Sequence, residues 1–140
     1  MKKQSRRNST GPKLAIVPLF TLACATASAA EISTHVLDLQ SGVGGANVPV
    51  VLMKKTTDEN WTILGNEKTS KNGRIKHFGN ATNFSTGTYK LVFDMENYPA
   101  DGVEPFFPEI SIVFNVTDAD AHYHVPVVIS PFGYSTYRGN

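Results

Sequence analysis

Beyond residue 30 the chain repeatedly alternates apolar with polar positions. Ile110, Ile112, Phe114 and Val116 are interleaved with Ser111, Val113 and Asn115, and Tyr89, Leu91 and Phe93 with Lys90, Val92 and Asp94. A period of two belongs to a strand, whose successive side chains leave opposite faces, so the first set of each pair predicts a core face. Runs of this type predict strands over 32–38, 48–56, 61–68, 74–77, 89–95, 109–117, 123–130 and 134–137. Turn formers separate them: SGVGGAN at 41–47, Lys71-Asn72-Gly73, and Ser85-Thr86-Gly87. Only 96–103 (ENYPADGV), ahead of Pro105, lacks strand character, and it predicts one short helix. Short strands at this spacing, without internal repeats, predict an all-β sandwich or barrel.

The first thirty residues follow a different pattern. Lys2, Lys3, Arg6, Arg7 and Lys13 make a basic start, LAIVPLFTLA at 14–23 is largely apolar, and Ala27-Ser28-Ala29 supplies small residues at the spacing of a cleavage site. That order predicts a cleaved signal peptide over 1–30 and a periplasmic location for the domain at 31–140. The apolar run, interrupted by Pro18, is shorter than the roughly 20 residues a membrane-spanning helix needs, so no membrane association is expected after cleavage. The only cysteine, Cys24, lies in this segment, which leaves the domain without disulfides and dependent on packing or association for stability. All twelve acidic residues lie beyond residue 30, whereas five of the thirteen basic ones do not, so the domain is net acidic. Nucleic-acid binding, which needs clustered Lys and Arg, is not expected.

The run over 123–130 bears most directly on chemistry. Tyr123, Val125, Val127 and Ile129 form the better core face, which turns His122, His124, Pro126 and Val128 outward, toward solvent or another subunit. A His-x-His pair on a strand sets two imidazoles on one face with α-carbons about 6.5 to 7 Å apart. The spacing suits two zinc ligands, or proton exchange near neutral pH. A metal would need a third ligand, for which only His35 stands out. His35 lies in a strand-like run, and Arg74 follows the Asn72-Gly73 turn. Taken singly, each reads as an ordinary exposed side chain.

Together these residues resemble a known family. Ser33-Thr34-His35-Val36-Leu37-Asp38, Asn72-Gly73-Arg74, Phe106-Phe107-Pro108-Glu109-Ile110 and the ending HYHVPVVISPFGYSTYRG at 122–139 look like the 5-hydroxyisourate hydrolases of the transthyretin-like family. Tyr137-Arg138-Gly139 matches three positions of the hydrolases' terminal Tyr-Arg-Gly-Ser, and Asn140 stands where serine is usual. The resemblance implies a two-sheet Greek-key sandwich, assembly as a homotetramer (a dimer of dimers), and sites in the channel between dimers. It implies that His35, Arg74 and His124 are catalytic and that His35, Arg74, His122, Tyr137, Arg138, Gly139 and Asn140 bind substrate. Neither cofactor nor metal is implied.

The reaction so implied is hydrolysis of the N1–C6 lactam bond of 5-hydroxyisourate, which opens the ring to 2-oxo-4-hydroxy-4-carboxy-5-ureidoimidazoline in urate catabolism. A neutral His124 suits the general base, with His35 orienting it or sharing the proton. The planar, permanently charged fork of Arg74 suits the oxygen on which negative charge develops. Two other classes stay open: a non-catalytic transthyretin-like small-molecule binder, which has no chemical need for the His, Arg, His and Tyr set, and a periplasmic metal binder using the histidines. Activity that survives a chelator separates the hydrolase from the last.

Overall fold

Nine strands arrange themselves in two sheets in the computed structural model, which describes residues 31–79, 84–98 and 104–140. They are β1 (Ile32–Asp38), β2 (Val43–Gly44), β3 (Pro49–Lys55), β4 (Trp61–Lys68), β5 (Arg74–Ile75), β6 (Gly87–Asp94), β7 (Glu109–Val116), β8 (Tyr123–Ser130) and β9 (Gly133–Thr136). One sheet runs β2-β1-β8-β9 with β5 also paired to β1, and the other runs β4-β3-β6-β7. All pairings are antiparallel except that of β1 with β8, which brings the first strand of the domain beside the penultimate one.

The alternation read from the sequence produces the core. Tyr89, Leu91 and Phe93 of β6 and Ile110, Ile112 and Val116 of β7 are buried, and they face Ile32 and Val36 of β1 and Tyr123, Val125, Val127 and Ile129 of β8 across the sandwich. Complete burial of a side chain such as Leu52, Leu91 or Phe93 contributes about 1.5 to 3 kcal/mol each. The opposite face of β8 is only partly covered at His124 and Val128, as the pattern predicted.

Three local expectations are corrected. The strand expected over 74–77 is two residues long, because only Ile75 and Arg74 pair with Thr34 and His35; His77 leaves the ladder and its Nδ1 meets Glu31 Oε1 at 2.5 Å. The turn-rich stretch 41–47 contains a short strand, β2, held by the pairing of Leu37 with Gly44 and Asp38 with Val43. No helix occurs among the described residues: Glu96 and Asn97 form a turn in which Tyr98 N–H donates to the Met95 carbonyl at 3.1 Å, too few bonds to propagate a helix. The remainder of that expected helix, 99–103, and the expected signal segment, 1–30, lie outside the described residues.

The turn before β5 is fixed by backbone geometry. Gly73 has φ of +77°, and a Cβ there would lie 2.3 Å from the Val36 carbonyl oxygen, so the left-handed conformation and the close approach both require glycine. The same contact lets Val36 N–H donate to Gly73 O at 2.8 Å. Ser70 Oγ donates to the Arg74 carbonyl at 2.8 Å, closing the loop from the other side. Arg74 therefore emerges from a segment clamped against β1.

Candidate functional site

Strands β5, β1 and β8 lie side by side, and their register decides which side chains share a face. Ile32, Thr34 and Val36 of β1 point into the sandwich, so Ser33 and His35 point out. His35 is directly opposite Arg74, and Ser33 is directly opposite His124. Three neighbouring strands thus carry a guanidinium, a hydroxyl and imidazoles on one outer surface.

The C-terminal segment supplies the next wall. After β9 the chain returns to β8, where Gly139 N–H donates to the His124 carbonyl at 2.8 Å. A Cβ on Gly139 would lie 2.5 Å from His124 Cδ2, so glycine is what allows this segment to pass against the imidazole. Tyr137, Gly139 and Asn140 then edge a cleft of about 520 Å3, within the range of small-molecule sites. Ser33, Arg74, His122 and His124 line it too, with Glu31, Thr34, Ile75, Lys76 and His77 completing the wall.

Of the residues singled out in the sequence, Arg74, His122, His124, Tyr137, Gly139 and Asn140 meet at this cleft. His35 lies on the same outer surface but not in the cleft wall; its Nε2–H donates to the Asn72 carbonyl at 3.1 Å. Arg138 turns to an adjoining depression, where its guanidinium sits 5.3 Å from the centre of the Tyr123 ring. Ser33 is the residue that sequence reasoning missed. Its Oγ lies 2.8 Å from His122 Nε2 and 2.8 Å from His124 Nδ1, and strand alternation from His35 already placed it on the same face.

The electrostatics favour uncharged imidazoles. Burial pushes the pKa of His124 below 6.5, the positive charge of Arg74 and the neighbouring His122 and His35 push the same way, and a hydrogen bond with Ser33 opposes them. His35 is likewise lowered by burial and by Arg74, against a hydrogen bond to Asn72. Near neutral pH the site therefore offers neutral bases beside a permanent cation, a pairing that can activate water and receive an oxyanion. Among the described residues, no group of three or more His, Cys, Asp or Glu side chains is placed to hold a metal ion.

Comparison with known proteins bears on the fold and the family. The HIUase/Transthyretin family model matches residues 32–139. A probable 5-hydroxyisourate hydrolase of Caenorhabditis elegans is 42% identical over 123 residues, covering 87% of this chain and 90% of that protein. Among solved structures, the 5-hydroxyisourate hydrolase of Klebsiella pneumoniae superposes with a TM-score of 0.68 at 33% identity, covering 79% of this chain and 99% of the other. Transthyretin from Sparus aurata superposes with a TM-score of 0.71 at 27% identity, covering 78% and 96%.

Proposed function

The chain belongs to the HIUase/Transthyretin family, and from that premise we propose that it is a 5-hydroxyisourate hydrolase acting in urate degradation. The observation that carries this reading is the convergence of Arg74 and a neutral His124 on one small-molecule cleft in a chain this similar to hydrolases. A protein that only bound its ligand would need neither a base nor an oxyanion partner there.

His124 removes a proton from water, and the resulting hydroxide adds to the lactam carbonyl carbon. Arg74 donates from its planar fork to the carbonyl oxygen as it becomes an anion. His35, on the same outer surface, orients the base or shares its proton. Tyr137, Gly139 and Asn140 shape the substrate's side of the cleft, His122 completes it, and Arg138 supports the C-terminal wall by lying over Tyr123. Asn140 replaces the usual serine without loss of hydrogen-bonding capacity, since an amide both donates and accepts. The reaction uses no cofactor. Ring opening is tested by following the product by NMR after substrate is generated from urate by urate oxidase, with and without chelator; the ureidoimidazoline should form faster than in a protein-free control in both, and formation at the control rate would overturn the reading.

The domain works as a homotetramer, a dimer of dimers with its sites between subunits. Support comes from β7 and β9, whose outer backbone edges have no strand partner among the described residues, and from apolar Val113 and Tyr134 exposed on those strands. Light scattering on residues 31–140 should give four times the chain mass at micromolar concentration, and a clean monomer would contradict it. Residues 1–30 form a signal peptide that is removed on export to the periplasm, in keeping with their basic, apolar and small-residue order.

A further inference from the structure

Ser33 is a nearly buried hydroxyl shared by two histidines, whose ring centres are 6.3 Å apart. A hydroxyl carries a single hydrogen. When both rings are neutral, at least one ring nitrogen must therefore donate N–H to Ser33 Oγ, and the arrangement that places the hydroxyl hydrogen between the rings has the other accept its O–H. If His124 is the donor through Nδ1, its Nε2 is left with a free lone pair, the form a base requires. The reverse arrangement protonates Nε2 and disables it. Nε2 of His124 makes no hydrogen bond among the described residues, and His122 is exposed to solvent.

We propose that Ser33 is a positioning residue of the hydrolytic site, holding His124 as its Nδ1–H tautomer and passing the product proton to His122. This rests on the hydrolase reading given above, because that reaction creates a proton to be removed. Opening a lactam at neutral pH yields a carboxylate, so one hydrogen of water ends on the released ring nitrogen and the other must leave. His124 Nε2 takes a proton from water as the oxygen bonds the carbonyl carbon, and delivers it to the departing nitrogen as the C–N bond breaks. The new carboxylic acid then gives its proton to Nε2. From the resulting imidazolium, the Nδ1 proton moves to Ser33 Oγ while the Ser33 hydroxyl proton moves to His122 Nε2, and His122 releases one from Nδ1 to solvent. The imidazolium charge has then left the site; for the next turnover His124 Nε2 loses its proton to water and His122 Nδ1 gains one, while the His122 Nε2 proton steps back to Ser33 Oγ and the Ser33 hydroxyl proton to His124 Nδ1, which restores the starting pair. The charged and titratable groups around the relay are Arg74 and His35 beside His124, and the Glu31–His77 pair on the cleft wall. Arg74 disfavours a charge retained on His124, which drives the proton outward.

The test combines a spectroscopic and a kinetic readout. Nitrogen-15 spectra of histidine-labelled protein without substrate, at about pH 7.5 where free imidazole is mostly neutral, should show His124 and His122 each fixed in one tautomer. Ser33→Ala should convert His124 to a tautomer mixture, and Ser33→Thr, which keeps the hydroxyl, should restore the fixed form. In dilute non-imidazole buffer, Ser33→Ala and His122→Asn should each lower kcat about tenfold with little change in KM, and added imidazole should rescue both by carrying the proton instead. The double variant should be no worse than the poorer single one. His122 is exposed, so its variant keeps the test alive if Ser33→Ala does not fold. Unchanged His124 spectra in Ser33→Ala, or full kcat in both variants without imidazole, would overturn the proposal while leaving the hydrolase standing. Absence of hydrolysis by the wild type would instead sink the hydrolase reading, whatever the spectra show.

Discussion

Replacing His124 by asparagine lowers kcat/KM for 5-hydroxyisourate about a hundredfold, a loss of about 2.7 kcal/mol in transition-state stabilisation and within the range for removing a general base. Asparagine roughly preserves the volume beside Gly139 and can still hydrogen-bond Ser33, so the fold and the C-terminal wall should persist. What disappears is the titrating lone pair. The wild type should show an ascending limb of kcat/KM with a midpoint below 6.5, because burial, Arg74, His122 and His35 all disfavour the imidazolium of His124. The sign follows directly: activity is lost as pH falls through the lowered pKa, so the enzyme stays active in mildly acidic solution where an unperturbed histidine would already be protonated. His124→Asn should flatten that limb. Rates over about pH 5 to 8.5, corrected for spontaneous decay, check both expectations. A limb that survives in His124→Asn would move the base to another residue, with His35 next in line.

Arg74→Lys should be of similar severity, about a hundredfold in kcat/KM, although it keeps the positive charge. The substitution isolates the role of shape, since lysine presents a compact ammonium where arginine presents a planar fork of donors. Arg74 is exposed and its backbone is clamped by Ser70 and by the Gly73 contact with β1, so stability should change little. Its loss should appear in kcat more than in KM if the fork engages the oxyanion and not the ground-state carbonyl. Groups that act as a unit are not additive, and the double variant with His124→Asn should be little worse than the poorer single one. Steady-state kinetics on the three variants, with thermal melting to confirm folding, decides this. Full activity in Arg74→Lys would reduce the arginine to a long-range charge.

Much of this site was legible because strand alternation is a local property of the sequence. The outward direction of His122 and His124 followed from the apolar set Tyr123, Val125, Val127 and Ile129, which the structure buries. The strands over 32–38, 61–68 and 123–130 appear with the expected limits. What local pattern does not carry is which strands become neighbours. The parallel pairing of β1 with β8 joins residues about ninety positions apart in the chain, and it alone brings Ser33 between the two histidines. The sequence placed Ser33 in the strand over 32–38, two positions from His35, but nothing local said that a hydroxyl there would meet two imidazoles. β2 escaped notice for a related reason: two residues in a glycine-rich stretch acquire strand form only by pairing with the end of β1. The same limit applies to 74–77, where Lys76 and His77 have strand-like neighbours but, among the described residues, no partner strand. Family resemblance, carried by the ending at 122–139, supplied the grouping of His35, Arg74 and His124 that spacing could not.

Turnover is measured by following the ultraviolet absorbance of 5-hydroxyisourate, made from urate by urate oxidase, after adding residues 31–140 at a small fraction of the substrate concentration. A hydrolase gives decay well above the spontaneous rate, proportional to protein and continuing through many equivalents of substrate, in chelator as without it. Decay at the spontaneous rate, or a change that stops after one equivalent per site, would contradict it and leave a binding protein in its place.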